Sequence, residues 1–348
     1  MGKIIVRRLG LMLLTMWLVS LAVFLVSEVV PVDVARNILG QFATEETIAA
    51  TREKLGLNCP ACARYVIWLV GDGWVAPARQ IVGERLLPAG CTPAGVVRRG
   101  LLGGDMGIST QSNTPVAPLL FRRLRNSAIL AGIAFILTMP LALVLGLLAG
   151  LKEGSLADRV ISFLSLVTTA TPSFALGVYL ILIFSLRLRW LPGISALLTE
   201  NSVLDSPSKL VMPILVLFFA EAGYVARMTR ASMVEVMRAP YIRTAILKGM
   251  PYWRVVFRHA LRNALLAPIT VITLHISWLI GGVVVVEALF GYPGLGQLML
   301  KAALNKDLYV IEAGALVMTF VATATQLAAD LLYIYLNPRI RYAFRSEG

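Results

Sequence analysis

The sequence predicts an all-α integral membrane protein with six transmembrane helices and a long outer loop after the first of them. Of its 348 residues, 58% are hydrophobic and only 15% are charged, and its mean hydropathy is +0.78. Soluble domains are roughly 45–50% apolar and about 25% charged, so the composition excludes a soluble globular protein and a disordered one. Basic loops between membrane spans explain the formal net charge of +13 without a nucleic-acid partner.

Six apolar stretches are long enough to cross a bilayer, which takes about 20 mostly apolar residues in a helix. Lipid cannot satisfy the backbone groups of an open strand, so each stretch is predicted to be helical. The fourth stretch is short and can extend through Met228. The six stretches are 9–30, 127–151, 160–186, 210–225, 265–289 and 311–336.

The first stretch follows Lys3, Arg7 and Arg8 and therefore has the charge pattern of a signal peptide. Its apolar run exceeds the roughly 7–15 residues of a signal peptide, which favours a retained anchor. We expect four parts along the chain. They are an N-terminal transmembrane helix (1–30), an outer loop with an insertion (31–120), a core of five helices (121–338) and an inner tail (339–348).

The basic residues favour an orientation with both termini inside, since inner loops carry an excess of Lys and Arg. In that orientation the inner segments hold sixteen basic residues and the two short outer loops hold five. The long outer segment is not counted, because loops beyond about 60 residues translocate regardless of charge. Arg122, Arg123 and Arg125 fit this topology least well, because they lie on the outer side close to the second span.

The loop after the fourth span contains a helix–glycine–helix elbow. Two short helices are predicted at about 241–248 and 251–262, with Gly249 in the left-handed position after the first and Pro251 in the first turn of the second. Such an elbow fits the membrane surface or a groove in a partner protein; a linker whose arginines reach the lipid headgroups is the alternative. In the second helix the apolar and basic residues fall on different faces, namely Trp253, Val256 and Phe257 against Arg254, Arg258 and Arg262.

At this elbow the sequence resembles the permease subunits of bacterial ABC importers, most closely those for dipeptides, oligopeptides and nickel. The resemblance is carried by Tyr-Ile-Arg-Thr-Ala-Ile-Leu-Lys-Gly at 241–249 and Arg-His-Ala-Leu-Arg-Asn-Ala-Leu at 258–265. The general importer motif is Glu-Ala-Ala, three residues, Gly, nine residues and Ile-x-Leu-Pro, and it is matched only at Ala245, Gly249 and Leu261. The peptide class usually shows the variants present here. Further segments similar to class signatures follow in the same order, at 55–57, 104–109, 169–174, 287–296 and 330–341.

The resemblance implies the type I ABC importer permease fold and a subunit that works in an assembly. Such permeases pair with a second homologous permease subunit in the bacterial inner membrane, with both termini cytoplasmic. Two cytoplasmic ABC ATPase subunits dock beneath the pair, and a periplasmic solute-binding protein delivers the substrate, here a peptide-like or related small solute. The elbow corresponds to the coupling helix seated in an ATPase groove, and the residues implied to face the ATPase are Arg243, Thr244, Ala245, Lys248, Gly249 and Met250.

The chain is not expected to be an enzyme or to bind a cofactor. It contains no Gly-x4-Gly-Lys-Ser/Thr loop for nucleotide phosphates, so ATP hydrolysis is expected in the partner subunits. An ion-coupled secondary transporter is an alternative, but it would be expected to have more spans, an internal repeat and several intramembrane carboxylates. A membrane-embedded enzyme is another, but it needs a convergent set of acid, base or metal residues, and no catalytic residue can be assigned.

Hydroxyl side chains surround Pro172 in the third span. Thr169, Thr171 and Ser173 can satisfy the carbonyl that proline leaves without a donor. This pattern fits a bend that lines the translocation path, and it fits equally a kink packed against neighbouring helices.

Ionisable residues inside the other spans are also candidates for the translocation path. Glu221 in the fourth span and His275 in the fifth are expected to face the bundle interior, for substrate contact or for interhelical hydrogen bonding. The two histidines, His259 and His275, lie at no metal-ligand spacing, so no metal site is expected.

All three cysteines lie in the outer loop, where an oxidising compartment favours disulfides. Cys59 and Cys62 precede an insertion of about 35 residues relative to the class, and Cys91 lies within it. A disulfide from Cys91 to either Cys59 or Cys62 would leave one thiol over. A Cys-x-x-Cys redox or zinc site is the alternative, although it lacks a fourth ligand. Contact of the insertion with the solute-binding protein is a further interpretation.

Overall fold

The computed structural model describes residues 2–29, 44–55, 59–82, 91, 99–195 and 203–336, and in these ranges the prediction of an all-α membrane protein is confirmed. Two π-helical turns, Ile181–Arg187 and Val255–Ala260, and two short 3-10 turns, Leu101–Gly103 and Val203–Asp205, accompany the α-helices. The α-helices are α1 (Gly2–Val29), α2 (Glu45–Leu55), α3 (Ala61–Val70), α4 (Val75–Val82), α5 (Val116–Leu151), α6 (Leu156–Ala170), α7 (Ser173–Leu180), α8 (Ser208–Met237), α9 (Pro240–Leu247), α10 (Tyr252–Arg254), α11 (Leu261–Ala264), α12 (Leu266–Phe290), α13 (Leu295–Asn305) and α14 (Leu308–Leu336).

Helices α1, α5, α8 and α14 are each long and apolar enough to cross a membrane. They correspond to the predicted first, second, fourth and sixth spans. The predicted fifth span is α12, which a bend of 41° separates from α11 and a bend of 68° separates from α13. The predicted stretch 311–336 agrees with α14 to within three residues, whereas α1 begins seven residues before the predicted stretch 9–30. Residue 30 lies outside the described ranges.

The predicted third span, 160–186, is not one continuous helix. Helices α6 and α7 meet at an angle of 110°. The break falls at Thr171 and Pro172, whose ψ angles of 126° and 141° are both extended. Proline disfavours the helical conformation of the residue before it and has no N–H for the helix ladder, so two consecutive residues leave the helix. The break is therefore sharper than the kink expected from the sequence.

The first compact unit comprises residues 1–124 and 298–321. Within it an aromatic cluster joins α1 to α3: the ring of Phe24 lies 5.2 Å from that of Tyr65 and 6.4 Å from that of Trp68. The hydroxyls of Ser20 and Tyr65 are hydrogen-bonded at 2.7 Å. Since aromatic pairs add to the energy of apolar burial, this cluster fastens α3 to the N-terminal helix α1.

A second connection in this unit uses the signature at 104–109. The hydroxyl of Ser109 and the backbone N–H of Thr110 both donate to the carboxylate of Asp307, which precedes α14. A Cβ on Gly107 would lie 2.9 Å from the ring of Tyr309, so this position requires glycine for close packing as well as for its φ of +81°. The signature thus holds the loop against the start of α14.

The second unit comprises residues 125–297 and 322–348, and its described part is built around α8. Leu210, Met212, Val216 and Leu217 on α8 are buried with residues of α5 and α12. Two glycines of α5, Gly146 and Gly150, allow α8 to approach closely: a Cβ on Gly146 would lie 2.4 Å from the carbonyl oxygen of Ala226. Small residues spaced by four are a common way to pack helices in lipid.

A fully buried carboxylate, that of Glu287, lies in contact with α5 and the start of α13. Glu287, near the end of α12, accepts hydrogen bonds from the hydroxyl of Ser127 on α5 and from the backbone N–H of Gly296 at the start of α13. A negative charge is favourable at a helix N-terminus, where backbone N–H groups lack partners. The hydroxyl of Tyr292 also donates to the carbonyl of Asn126 at 2.8 Å, so the end of α12 and the start of α13 are both tied to α5.

Replacing Gly146 with Ala should destabilise the helix bundle by about 1–3 kcal/mol, because the added methyl overlaps α8. The matched control is Gly132→Ala on the same helix, where a Cβ meets nothing within 4 Å. Alanine has the higher helix propensity, so the control should be neutral or slightly stabilising. The measurement is the thermal unfolding midpoint of both variants in detergent, and equal midpoints would contradict close packing at Gly146.

Candidate functional site

The elbow begins where α8 ends. Ala239 is extended, with ψ 143°, and Pro240 occupies the first turn of α9, where its missing N–H costs no hydrogen bond. The helix ends at Gly249, which has a φ of +75° and donates its N–H to the carbonyl of Ile246 at 2.9 Å. A left-handed glycine after the last turn is the common way to end a helix. The elbow therefore has the predicted helix–glycine–helix form.

One face of the elbow is an apolar core. Ile242, Val255, Ala260 and Ala264 are each 0% exposed and pack with Met233 near the end of α8. This burial, rather than helix propensity, holds such short helices in place.

The apolar face of the second helix differs from the predicted one. Val256 is buried as expected, but Trp253 and Phe257 are 61% and 67% exposed. Phe257 lies within the π-helical turn Val255–Ala260, which takes more residues per turn than an α-helix and so changes the face on which this side chain falls. Trp253 precedes that turn, and nothing in the structure explains its exposure. The arginines predicted to share the other face, Arg254, Arg258 and Arg262, are all exposed.

The residues implied to face the ATPase divide into two groups. Arg243, Thr244, Lys248 and Gly249 are exposed, whereas Ala245 is buried and Met250 is half-buried against the apolar core. Ala245 and Met250 therefore hold the elbow in place by packing in its apolar core. The structure adds two exposed apolar residues of α9 that the sequence analysis did not single out, Ile246 and Leu247 (49% and 80% exposed).

Two hydrogen bonds brace the elbow. The side-chain amide of Asn263 donates to the hydroxyl of Tyr241 at 2.8 Å, which joins α11 to the first turn of α9. The hydroxyl of Ser232 on α8 donates to the carbonyl of Ala264 at 2.8 Å. Since α11 leads into α12, both α8 and α12 are attached to the elbow.

A buried ion pair holds α6 against α8 close to the elbow. The guanidinium of Arg230 makes two hydrogen bonds to the carboxylate of Asp158, whose side chain is only 4% exposed. Asp158 also accepts from the backbone N–H of Gly154 and the hydroxyl of Ser162. The sequence analysis missed this pair, but Ser155 followed three residues later by Asp158 is a capping-box pattern that signals a helix start.

The two ionisable residues predicted for the translocation path lie in contact. Nδ1 of His275 on α12 is hydrogen-bonded to Oε2 of Glu221 on α8 at 2.5 Å. Their side chains are 14% and 10% exposed. The ring of Tyr224, one turn along α8, lies 5.1 Å from the His275 ring. Pairing lowers the cost of keeping ionisable groups at membrane depth.

The hydroxyl residues of the third span are separate from this pair. Thr169 donates to the carbonyl of Ser165 at 2.6 Å and Thr171 to that of Val167 at 2.7 Å. Thr169 lies beside α8, because a Cβ on Gly223 would be 2.7 Å from its hydroxyl. Ser173 begins α7 after the break. Among the described contacts, none joins Thr171 or Ser173 to Glu221 or His275.

The outer loop contains a disulfide between Cys59 and Cys91, which are both buried and pack with Ile67 and Val75. Cys62 carries a free, exposed thiol. Of the two pairings left open by the sequence, the structure therefore has the one that uses Cys59.

Comparison with known proteins places this architecture in a family. Residues 142–342 match the family described as the binding-protein-dependent transport system inner membrane component, and residues 1–95 match the corresponding N-terminal family. The chain is 33% identical over 342 residues to a putative peptide transport system permease protein of Brucella abortus, which covers 98% of this chain and 100% of the relative.

Two named relatives are similar over the same extent. The oligopeptide transport system permease protein AppB of Bacillus subtilis is 32% identical over 345 residues, 98% of this chain and 100% of its own. The glutathione transport system permease protein GsiC of Shigella flexneri is 32% identical over 342 residues, 98% of this chain and 99% of its own. The similarity thus extends over nearly the whole chain, including the elbow.

Replacing Asp158 with Asn should destabilise the protein by about 2 kcal/mol or more. A broken buried pair costs about 3–5 kcal/mol, and the guanidinium of Arg230, which is 31% exposed, retains part of its hydration. The matched control is Glu153→Gln, which breaks the exposed pair with Arg238 and should cost less than about 1 kcal/mol. Thermal unfolding in detergent measures both, and an equal loss would contradict a special role for the buried pair.

Proposed function

We propose that this chain, which belongs to the binding-protein-dependent transport system inner membrane component family and is a permease subunit of an ABC importer, carries peptides or peptide-like solutes across the inner membrane. Support for this cargo comes from relatives named as permeases for peptides, oligopeptides and glutathione. Each is similar over nearly the whole chain. The alternatives of an ion-coupled transporter or a membrane-embedded enzyme are not favoured.

The assembly proposed for transport contains a second homologous permease subunit, two cytoplasmic ABC ATPases and a periplasmic solute-binding protein. ATP is bound and hydrolysed by the ATPases, and this chain binds no cofactor. The permease family and the lack of a phosphate-binding loop in the sequence support the assignment of ATP hydrolysis to the partner subunits. We assign both termini to the cytoplasm and the Cys59–Cys91 loop to the periplasm.

The elbow is the proposed coupling surface, and its geometry is the observation that carries this proposal. Its exposed side presents Arg243, Thr244, Leu247 and Lys248, while Ala245 and Met250 anchor its other side to the apolar core. An elbow with one free face and one buried face can receive a push from a partner and pass it on as a rigid-body movement. Since α8 and α12 are both attached to the elbow, that movement reaches the helices that carry Glu221 and His275.

The proposed translocation path includes the Glu221–His275 pair and the hydroxyls near the break in the third span, Thr169, Thr171 and Ser173. Intramembrane ionisable residues commonly mark substrate pathways. The contact between Glu221 and His275 supports their assignment to one site. The path is completed by the second permease subunit.

Gly249→Val should abolish uptake while leaving the chain folded in the membrane. Valine is strained by roughly 1–3 kcal/mol at a positive φ, which changes the angle between α9 and the following helix. The measurement is uptake of labelled alanyl-alanine into vesicles that contain the full importer, together with co-purification of the ATPases. A wild-type importer that takes up no peptide would remove the cargo assignment.

Gly154→Val is the matched control for this variant. Gly154 also has a positive φ, +79°, and a Cβ there also meets nothing within 4 Å, but it lies in the turn between α5 and α6. The two variants carry similar backbone strain, so only the Gly249 variant should lose uptake. Full transport by Gly249→Val would show that the elbow is a surface linker without a coupling role.

The orientation predicts how the free cysteine reacts. A membrane-impermeant maleimide added to right-side-out vesicles should label Cys62 without prior reduction, because its thiol is free and exposed. In a Cys62→Ser background, Glu235→Cys near the cytoplasmic end of α8 should react only after the membrane is opened. If Cys62 reacts only after the membrane is opened, and the Glu235→Cys thiol reacts without opening, the proposed orientation is wrong.

A further inference from the structure

We propose that the carboxylate of Glu221 is a binding site for the ammonium group of the transported solute, with His275 and Tyr224 as its supporting residues. The inference rests on the proposed translocation path. It names the chemical group of the solute that binds at one position of that path.

The depth of Glu221 is the first observation. It lies near the middle of α8, a 30-residue helix that is long and apolar enough to cross the membrane. A carboxylate there is costly, and a neutral amide would bond two helices at lower cost. The acid group therefore suggests a partner that needs a negative charge.

The second observation is that one carboxylate oxygen remains available. His275 engages Oε2, and among the described residues no donor is hydrogen-bonded to Oε1. The contact with Nδ1 orients the carboxylate through one oxygen, and a carboxylate can bind a second partner through its other oxygen. An acceptor without a donor is unfavourable in an apolar environment, so Oε1 is ready to accept a hydrogen bond from a cation.

The third observation is the absence of side chains at two positions of α12 near that oxygen. The nearest part of α12 carries two glycines, and the Cα of Gly282 has no side chain to cover Oε1: a Cβ there would lie 3.9 Å from it. A Cβ on Gly281 would meet nothing within 4 Å, and Gly281 is exposed. These two positions of α12 therefore contribute no side chain that would cover Oε1.

The fourth observation is the aromatic ring beside the pair. Tyr224 is 39% exposed and its ring packs against His275. Aromatic faces attract cations, and most strongly where water is excluded. A carboxylate oxygen and an aromatic ring together suit an ammonium group, such as the amino terminus of a peptide or a lysine side chain.

The test uses the purified importer complex in detergent with Gly282→Cys, whose Cβ would lie 3.9 Å from Oε1 of Glu221. It is made in a Cys62→Ser background, which removes the exposed native thiol. The probes are a cationic reagent, 2-aminoethyl methanethiosulfonate, and an anionic one, 2-sulfonatoethyl methanethiosulfonate. Their rates are normalised to those with a small free thiol. A carboxylate beside the introduced thiol should favour the cation by about tenfold.

Adding Glu221→Gln should reduce this preference to about one, because the amide keeps the size and hydrogen bonding of the side chain but has no charge. The matched control is Glu235→Gln, which removes an exposed carboxylate from the same helix and should leave the preference unchanged. A preference that survives Glu221→Gln would overturn the proposal. Failure of the introduced thiol to react with either reagent would overturn it as well.

Protection of the introduced thiol identifies the source of the ammonium group. Slower labelling in millimolar alanyl-alanine indicates the amino terminus, and slower labelling in Nα-acetyl-lysine amide indicates the side chain. Protection by neither, or equal protection by N-acetyl-alanyl-alanine, would overturn the solute assignment. Peptide uptake by the wild-type importer is measured separately, so a wrong peptide assignment is distinguishable from the absence of a cation site.

Discussion

The second unit depends on one buried carboxylate, that of Glu287. Its side chain is 0% exposed, and it accepts hydrogen bonds from α5 and from the first turn of α13. A Cβ on Gly294 would lie 2.1 Å from this carboxylate, so the turn before α13 can close only around a glycine. A buried charge is stable when several donors and a helix N-terminus surround it, and these same donors fix where α5, α12 and α13 meet.

The sequence predicts the helices of this protein better than the bends and contacts between them. Hydropathy is sufficient for the spans other than the third, because lipid demands long apolar helices whatever their neighbours. The left-handed Gly249 and the helices around it follow from local backbone preferences. A bend at Pro172 was predicted, but its angle of 110° and the π-helical turn Val255–Ala260 were not. Their size is set by the hydrogen bonds and packing that surround them, which a residue pattern does not contain.

The pairs of charged residues illustrate the same limit. Glu221 and His275 were each singled out as intramembrane polar residues, yet their contact joins positions 54 residues apart. Asp158 and Arg230 are 72 residues apart, and only the helix-start pattern at Ser155 pointed to one of them. In the elbow the amphipathic pattern correctly placed the arginines outside and Val256 inside, but Trp253 and Phe257 are exposed.

The uninterrupted α8 connects the core of the elbow to Glu221. Met233, which packs in the core of the elbow, and Glu221 are twelve residues apart on one straight stretch of helix, or about 18 Å along its axis. If docking at the elbow changes the affinity of a ligand at Glu221, that ligand must change the docking affinity by the same factor. Under the proposed function, a solute with such an effect would also alter how tightly a partner docked at the elbow is held.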